Sequence, residues 1–215
     1  MLPVIKVAVW GIGIAFLLDN LGFKISTVVA GLGIGGVAVA LAAQAVLGDL
    51  FSYFAILFDR PFEIGDFIII EGYLGVVEHV GIKTTRIRSL SGEQLVFSNT
   101  DLTNSRVRNY KRMDKRRVIF KLGVTYQTSL EHMKEIPVII TDIIKMIKET
   151  TFDRAHFSSY GSFSLDFEVV YYVFGSDYNK YMDIQQKINL AIMEEFEKRG
   201  IEFAYPTQTL FLSKT

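Results

Sequence analysis

The hydrophobic pattern of the chain changes after residue 58. Residues 25–58, ISTVVAGLGIGGVAVALAAQAVLGDLFSYFAILF, are mostly glycine, alanine and large apolar residues, with Asp49 as the single charge. A helix on the surface of a soluble protein needs a polar face, and this segment has none. Residues 1–58 contain only Lys6, Asp19, Lys24 and Asp49 of the 46 charged residues. The pattern therefore predicts a lipid-embedded segment followed by a water-soluble one.

Small and large residues occupy different faces of the helix predicted over residues 25–58. At 100° per residue, one face consists of Ala30, Ile34, Val37, Leu41, Gln44 and Gly48, and the opposite face of Leu32, Val39, Val46 and Leu50. The flanks consist of Gly33, Gly36, Ala40 and Ala43 on one side and Gly31, Gly35, Ala38, Ala42 and Ala45 on the other. Small flanks let helix backbones approach closely in lipid, so two of them predict a neighbour on each side, as in a ring. The first face then lines a pore, and ordinary helix packing is the alternative.

A shorter apolar segment, residues 4–18, precedes this helix and falls below the ~20 residues that cross a bilayer. It lacks the basic start and the cleavage site of a signal peptide. A turn at residues 19–22 predicts a helical hairpin with both far ends on one side of the membrane. Lys6 and Arg60 at those ends, against Lys24 at the tip, favour the cytoplasmic side. The shortness of the segment indicates trimmed upstream membrane segments or a minimal version.

The glycines of the second helix also match a nucleotide-binding fingerprint. Gly31, Gly33 and Gly36 spell G-x-G-x-x-G, and Asp59 follows about 20 residues on. In a dinucleotide-binding domain, the helix after the glycines carries charges on its solvent side. Residues 37–47 carry none. The dinucleotide interpretation is therefore disfavoured.

Short β segments follow the apolar helix. Pro61 ends the helix, and Gly65-Asp66 makes a turn into the first strand. Five β runs bounded by turn residues are predicted at 67–71, 74–80, 83–90, 93–97 and 106–110. Arg60 lies where its side chain can reach lipid headgroups. Strands at this spacing predict a small antiparallel barrel or sandwich.

The period changes again after residue 116. Strands are predicted at residues 117–124 and 164–174, and helices at 129–149 and 178–199, the second ended by Gly200. Tyr205-Pro206 precedes a last predicted strand at residues 209–212. This order predicts an α+β layer with two helices on one face.

Enzyme chemistry has little support in the sequence. The chain has no cysteine, so disulfides and thiol catalysis are excluded. His79, His132 and His156 lack metal-ligand spacing, and no serine or carboxylate pair forms a catalytic arrangement. We expect no catalytic residue, no metal site and no cofactor.

Several motifs in one order carry a family resemblance. After the glycine- and alanine-rich helix come Arg60-Pro61-Phe62 with Gly65-Asp66, then Thr84-Thr85-Arg86-Ile87-Arg88, then Gly92 and Ser98-Asn99. In this order and spacing the sequence resembles the small-conductance mechanosensitive channel (MscS) family over nearly its whole length. The resemblance implies a homoheptameric ring in the inner cell membrane that passes ions and small osmolytes on osmotic shock. It also implies four parts: membrane helices (1–58), an Sm-like β domain (59–115), an α/β cytoplasmic vestibule domain (116–205) and a strand of a C-terminal oligomeric barrel (206–215).

The resemblance also assigns a gate and a hinge. The family's two rings of bulky apolar side chains align with Val37 and Leu41, and such rings gate by excluding water. The family's hinge glycine aligns with Ala45, so Gly48 and Asp49 are the nearest residues that weaken the helix. Asp49 is alternatively expected to bond to backbone or to the β domain. Gln44 is expected to cap or contact a neighbouring helix.

Membrane tension is expected to favour the channel state that occupies the larger area in the plane of the bilayer. The aromatic-rich segment at residues 50–58 is expected to lie near the interface and sense lipid. The family's I-P-N turn is here Phe97-Ser98-Asn99, without the proline.

One basic segment suggests a second function. Residues 106–117, RVRNYKRMDKRR, contain seven basic residues and one acid, with Lys83, Arg86 and Arg88 nearby. A membrane-anchored β-barrel with such a stretch could bind RNA. Interdomain salt bridges and a charged vestibule wall are the favoured interpretation, so no nucleic-acid partner is expected.

Overall fold

The computed structural model describes residues 2–22 and 25–208. The chain divides into two compact units, Met1–Arg108 and Asn109–Thr215. The first unit contains the apolar helices and a five-stranded sheet, and the second contains a three-stranded sheet with two helices.

The first unit begins with the two predicted apolar helices, α1 (Leu2–Asn20) and α2 (Ile25–Asp59). Within α2, Val29–Asp59 is long and apolar enough to cross a bilayer. The helix ends where Arg60 adopts a left-handed φ of 46° directly before Pro61. Proline disfavours helical backbone in the residue before it, so the sequence itself ends the helix here.

The sheet of the first unit is antiparallel and close to the prediction. Its strands are β1 (Phe67–Ile70), β2 (Tyr73–Val80), β3 (Thr84–Ser89), β4 (Gln94–Ser98) and β5 (Val107–Asn109), in the order β4-β3-β2-β1-β5. A Cβ at Gly75 would collide with the backbone carbonyl of Arg88 across the β2–β3 pair, so only glycine fits there. The core between sheet and helices contains Ile56, Phe62, Ile68, Ile70, Val77, Ile87 and Leu102.

A short helix, α3 (Asn99–Asn104), connects β4 to β5 and was not predicted. Ser98 caps it, accepting a hydrogen bond from the Asp101 N–H at 3.0 Å. Six residues are too few to produce a helical hydrophobic period, which is why the pattern did not reveal it.

The second unit is built from β6 (Lys115–Val124), α4 (Leu130–Met146), β7 (Thr150–Tyr160), β8 (Leu165–Phe174) and α5 (Tyr178–Arg199). Its sheet has the antiparallel order β6-β8-β7. Isoleucines of both helices pack with Val124, Phe167, Val169, Tyr171 and Phe196 in one core. The bounds of α5 match the prediction, with Gly200 in the left-handed conformation at its end.

Two predictions in this unit were wrong. Strand β7 was missed, because it is an edge strand with mostly exposed positions and two register shifts that break the alternation. Helix α4 ends at Met146 rather than at residue 149. Thr150 Oγ1 donates to the carbonyls of Ile144 and Ile147, both at 2.8 Å, and closes the helix early. The strand predicted at residues 209–212 lies outside the described residues.

Candidate pore helix and its junction with the β sheet

Residues 29–42 of α2 are exposed on every side of the helix in the described part of the chain. All residues from 29 to 42 are exposed, including the predicted gate residues Val37 (61%) and Leu41 (65%). Leu32 (71%) and Val39 (70%) on the opposite face are equally uncovered. Ala30 and Ile34 on the first face, and Ala38, Ala40 and Ala42 on the flanks, are exposed as well. Lipid or other chains must cover so large an apolar surface.

The four glycines in the N-terminal half of α2 pack against no residue in the described part of the chain. A Cβ added at Gly31, Gly33, Gly35 or Gly36 would meet no atom within 4 Å. None of the four has a positive φ. Glycine inside a helix costs about 1 kcal/mol relative to alanine, so the fold of one chain gives no reason for these residues. A closely packed neighbour outside the chain would give one.

The predicted hinge region lies within a continuous helix. Gln44 and Ala45 are exposed, whereas Gly48 is half-buried and Asp49 is 6% exposed. A Cβ at Gly48 would lie 3.4 Å from Thr100 Oγ1 of α3. At this point α2 therefore passes from an uncovered helix to one that packs on the β domain.

Two side-chain contacts join α2 to α3. Asp49 Oδ1 accepts hydrogen bonds from the Thr100 N–H at 3.1 Å and from the Thr100 hydroxyl at 2.8 Å. The amide is one of the first-turn N–H groups that lack a partner within a helix. One turn further on, the hydroxyls of Ser52 and Thr103 are 2.8 Å apart. The expectation that Asp49 bonds to the β domain is confirmed.

Asn99 fixes α3 to the sheet. Its side chain is fully buried and donates to the carbonyls of Gly81 and Ile82 at 2.8 and 2.9 Å. Its carbonyl oxygen accepts from the Thr85 hydroxyl at 2.9 Å. Hydrogen bonds therefore connect Asp49 through α3 to the β2–β3 turn. The sequence identified Ser98-Asn99 only as a family motif, and no pattern in the sequence revealed this network.

The last turns of α2 have a buried side and an aromatic side. Ile56 is 3% exposed and belongs to the core of the first unit. Phe51 (68%), Phe54 (42%) and Phe58 (77%) project from the other side, and the rings of Phe54 and Phe58 stack at 6.3 Å. This exposed aromatic stripe is suited to the boundary between lipid and water.

The junction residues after α2 have separate roles. Phe62 is 2% exposed and packs in the core, whereas Arg60 and Pro61 are exposed. Arg60 Nη1 lies 3.4 Å from Glu63 Oε1, an exposed pair of the kind that contributes little to stability. Asp66 Oδ2 accepts from the Glu63 N–H at 3.0 Å and holds the predicted turn.

Arg88, the last residue of the Thr84–Arg88 motif, forms an ion pair with Glu78 on the surface of the sheet. The Arg88 guanidinium donates to both carboxylate oxygens of Glu78, at 2.7 and 3.0 Å. The Gln94 side-chain amide donates to the same carboxylate at 2.9 Å. These hydrogen bonds, from Arg88 first and Gln94 second, lower the pKa of Glu78 below its ordinary value. The pair ties β2, β3 and β4 together on their exposed face.

The last three residues of the basic segment, 115–117, begin β6 in the second unit. The Arg116 guanidinium lies among the rings of Tyr110, Tyr178 and Tyr181, with centroid distances of 5.6, 5.5 and 5.2 Å. Lys115 Nζ lies 4.7 Å from the Tyr172 ring centroid. Two cations of this segment are therefore engaged with tyrosines of their own unit.

Family models match three consecutive parts of the chain. Residues 4–44 match the transmembrane helices 2/3 of mechanosensitive ion channels, residues 45–112 their β-domain, and residues 118–203 the C-terminal part of MscS. The large-conductance mechanosensitive channel MscMJLR of Methanocaldococcus jannaschii is 39% identical over 98% of this chain and 60% of its own length. MscMJ, the small-conductance channel of the same organism, is 38% identical over 98% of this chain and 61% of its own length.

Solved structures agree in fold. Helicobacter pylori MscS in its closed state aligns with a TM-score of 0.73 at 23% identity, covering 99% of this chain and 83% of that one. Arabidopsis thaliana MSL1 aligns with a TM-score of 0.77 at 21% identity, covering 95% of this chain and 75% of that one. The chain spans about 60% of the length of the curated relatives described above. With its apolar helices, its β sheet and its α+β unit matched in order, the chain belongs to the MscS family of mechanosensitive ion channels.

Proposed function

We propose that this chain forms the pore and the cytoplasmic portion of a channel that membrane tension opens, releasing ions and small osmolytes on hypo-osmotic shock. The observation that carries the proposal is α2, whose apolar residues from 29 to 42 are exposed on all sides. Such a helix is unstable alone in water and needs lipid on one side and other helices beside it. Mechanosensitive channels among its relatives support the same function.

The proposed assembly is a homo-oligomeric ring, with seven subunits as the family resemblance implies. Its support within the chain is the pair of small-residue flanks on α2, where a Cβ at Gly31, Gly33, Gly35 or Gly36 would meet no described atom within 4 Å. The ring places α1 and α2 in the inner membrane as a multi-pass segment. On the cytoplasmic side lie the Sm-like β domain, the vestibule domain and the terminal barrel strand. The boundaries between these parts and the membrane helices follow residues 58, 115 and 205.

The proposed gate is an apolar neck formed by Val37 and Leu41, with Ala30, Ile34, Gln44 and Gly48 along the same helical face. A narrow apolar neck expels water, and ions do not cross a dry neck. Val37 is a small gate residue beside Leu41, so the ring of Leu41 side chains forms the tighter constriction. When the helices tilt and separate, the neck widens, wets and conducts.

The proposed transmission of force uses the junction of α2 with the β domain. Asp49 and Ser52 bind α3, and Ile56 anchors the helix in the core of the first unit. The aromatic stripe of Phe51, Phe54 and Phe58 contacts lipid on the other side of the same helix turns. Bending at Ala45, Gly48 or Asp49 then separates the motion of the pore-lining half of α2 from the anchored half.

Leu41→Ser tests the gate directly. The hydroxyl hydrates the neck, so the reconstituted variant is expected to open at lower tension than the wild type in patches under suction. Val39→Ser makes the same chemical change on the opposite face of the helix and is expected to leave the opening tension close to the wild-type value. Equal thresholds for Leu41→Ser and the wild type, with assembly intact, would remove Leu41 from the gate.

A further inference from the structure

A groove on the second unit has an apolar floor and edges with an excess of acid, five carboxylates against Lys134, Lys187 and Arg199. It lies between α4 and α5, with a volume of about 1150 Å³. Ile139 and Ile143 form part of its floor, and Leu130 (71% exposed), Val138 (59%) and Met146 (83%) extend the apolar surface outward. We call this feature the α4/α5 groove. Within the described residues, Leu130, Val138 and Met146 are left uncovered.

The three acidic residues on the α4 side of the α4/α5 groove form no ion pair within the described residues, although Lys134 lies on the same side. Glu131, Glu135 and Asp142 line it from α4, and none forms an ion pair with a cation in residues 2–22 or 25–208. On the α5 side, by contrast, Glu194 and Glu195 pair with Lys198 and Arg199 at 2.7 to 3.2 Å. A cationic partner is therefore expected to gain most electrostatic attraction at the α4 edge.

A complementary surface lies on the same unit. Arg112, Lys115 and Arg117 are exposed where the chain enters β6, within a segment of seven basic residues and one acid. We call these three residues the basic strip. The whole chain is electrically neutral, so the positive excess of this segment is balanced by acid elsewhere. Met113, half-buried between these cations, adds an apolar side chain of the kind that an apolar floor accepts.

The basic strip cannot fill the groove of its own chain. Strand β6 is an edge strand of the sheet, and its pairing with β8 fixes Lys115 opposite Phe174 and Arg117 opposite Tyr172. The α4/α5 groove is formed by helices that pack on the face of that sheet. Because the edge of β6 and the surface of α4 and α5 are both fixed within one subunit, the basic strip can meet the groove only when two copies of the chain come together.

We infer that the α4/α5 groove of one subunit binds the basic strip of a second copy of this chain. The two surfaces differ, so the contact is heterologous, and repetition of a heterologous contact closes a ring when the rotation permits. Opposite charges also fix the register of such a contact and exclude wrong pairings. The inference rests on the proposed homo-oligomer and adds to it the surfaces that join neighbouring soluble units.

Engineered cysteines test this contact without interference, because the chain contains no cysteine of its own. The panel places one cysteine at Arg112, Lys115 or Arg117 and another at Glu131, Glu135 or Val138, in the full chain reconstituted in liposomes. A short thiol-reactive cross-linker is expected to produce a ladder of covalent oligomers from at least one pair. Control pairs combine the same basic-strip positions with cysteine at Glu197, which is exposed on α5 outside the groove, and are expected to give no ladder.

A charge exchange provides the second readout. Glu135→Lys with Asp142→Lys is expected to lower the cross-linking yield of the pair that joins Arg117 to Val138. Arg112→Glu with Lys115→Glu in the same chain is expected to restore the yield, because the attraction is reversed rather than removed. Glu131 keeps its charge because it lies in the first turn of α4, where a negative charge stabilises the helix.

The outcomes separate this inference from the proposed function. If no cysteine pair gives a ladder while an amine-reactive cross-linker still yields oligomers of the same chain, the groove binds something else and the inference is overturned. If neither reagent yields oligomers, the homo-oligomer itself fails. A ladder from the Glu197 controls equal to that of the groove pairs would also overturn the inference.

Discussion

At the scale of residues, the junction of the membrane helix depends on a few buried polar contacts. Asp49 binds Thr100 at the start of α3, and Asn99 binds the β2–β3 turn from the same short helix. Buried polar groups are costly when they lose their partners, so each of these contacts is strongly required once the fold brings it together. The position of the helix relative to the sheet is set here.

Asn99→Ala is expected to destabilise the chain by about 1–3 kcal/mol for each polar partner that stays buried without a hydrogen bond. The affected partners are the carbonyls of Gly81 and Ile82 and the hydroxyl of Thr85. Thermal unfolding of the full chain in detergent measures the effect. Asn104→Ala, an exposed change in the same helix, is the control and is expected to change stability by less than about 0.5 kcal/mol. Equal melting temperatures for both variants would contradict the role of Asn99.

These residue contacts mark the limit of what the sequence predicted about the site. The two faces of α2 and the bonding of Asp49 to the β domain followed from apolar spacing and from the family motifs. The partner of Asp49 did not, because Thr100 lies 51 positions away in a helix too short to be recognised. Three-dimensional proximity of this kind has no periodic signal in the sequence.

At the scale of elements, periodicity predicted strongly amphipathic or uniformly apolar elements best. Helix α5 was placed at its observed bounds, and α2 within one residue of its end. Strand β7 was missed because its positions are mostly exposed and its two bulges interrupt the alternation. Helix α4 was overextended because its apolar spacing continues to Ile147, whereas Thr150 closes the helix through side-chain hydrogen bonds to the carbonyls of Ile144 and Ile147.

The glycines of α2 make an element-scale prediction. Gly33→Leu and Gly36→Leu are expected to abolish the oligomer, because large side chains keep neighbouring helices apart. The fold of each chain is expected to persist, since neither Cβ would meet an atom of its own chain within 4 Å. Native mass spectrometry in detergent measures the oligomer, and Val46→Leu on the opposite face is the control. An intact oligomer in both glycine variants would show that the flanks do not contact neighbours.

At the scale of the whole molecule, charge and hydrophobicity are separated along the chain. The membrane helices carry almost no charge, whereas the second unit carries a basic strip and an acidic groove on different surfaces. In the described part of the chain, nothing covers residues 29–42 of α2 or the outer apolar residues of the groove. A ring of copies in a membrane supplies both partners, which unites the proposed channel with the proposed contact between soluble units.

The central claim is that membrane tension opens a pore formed by this chain. Patch recordings from liposomes that contain only the wild-type chain measure it most directly. The account predicts stepwise currents that appear above a threshold suction and disappear when suction is released, whereas liposomes without protein stay silent. A flat current up to patch rupture, from a chain that native mass spectrometry shows to be assembled, would contradict the account.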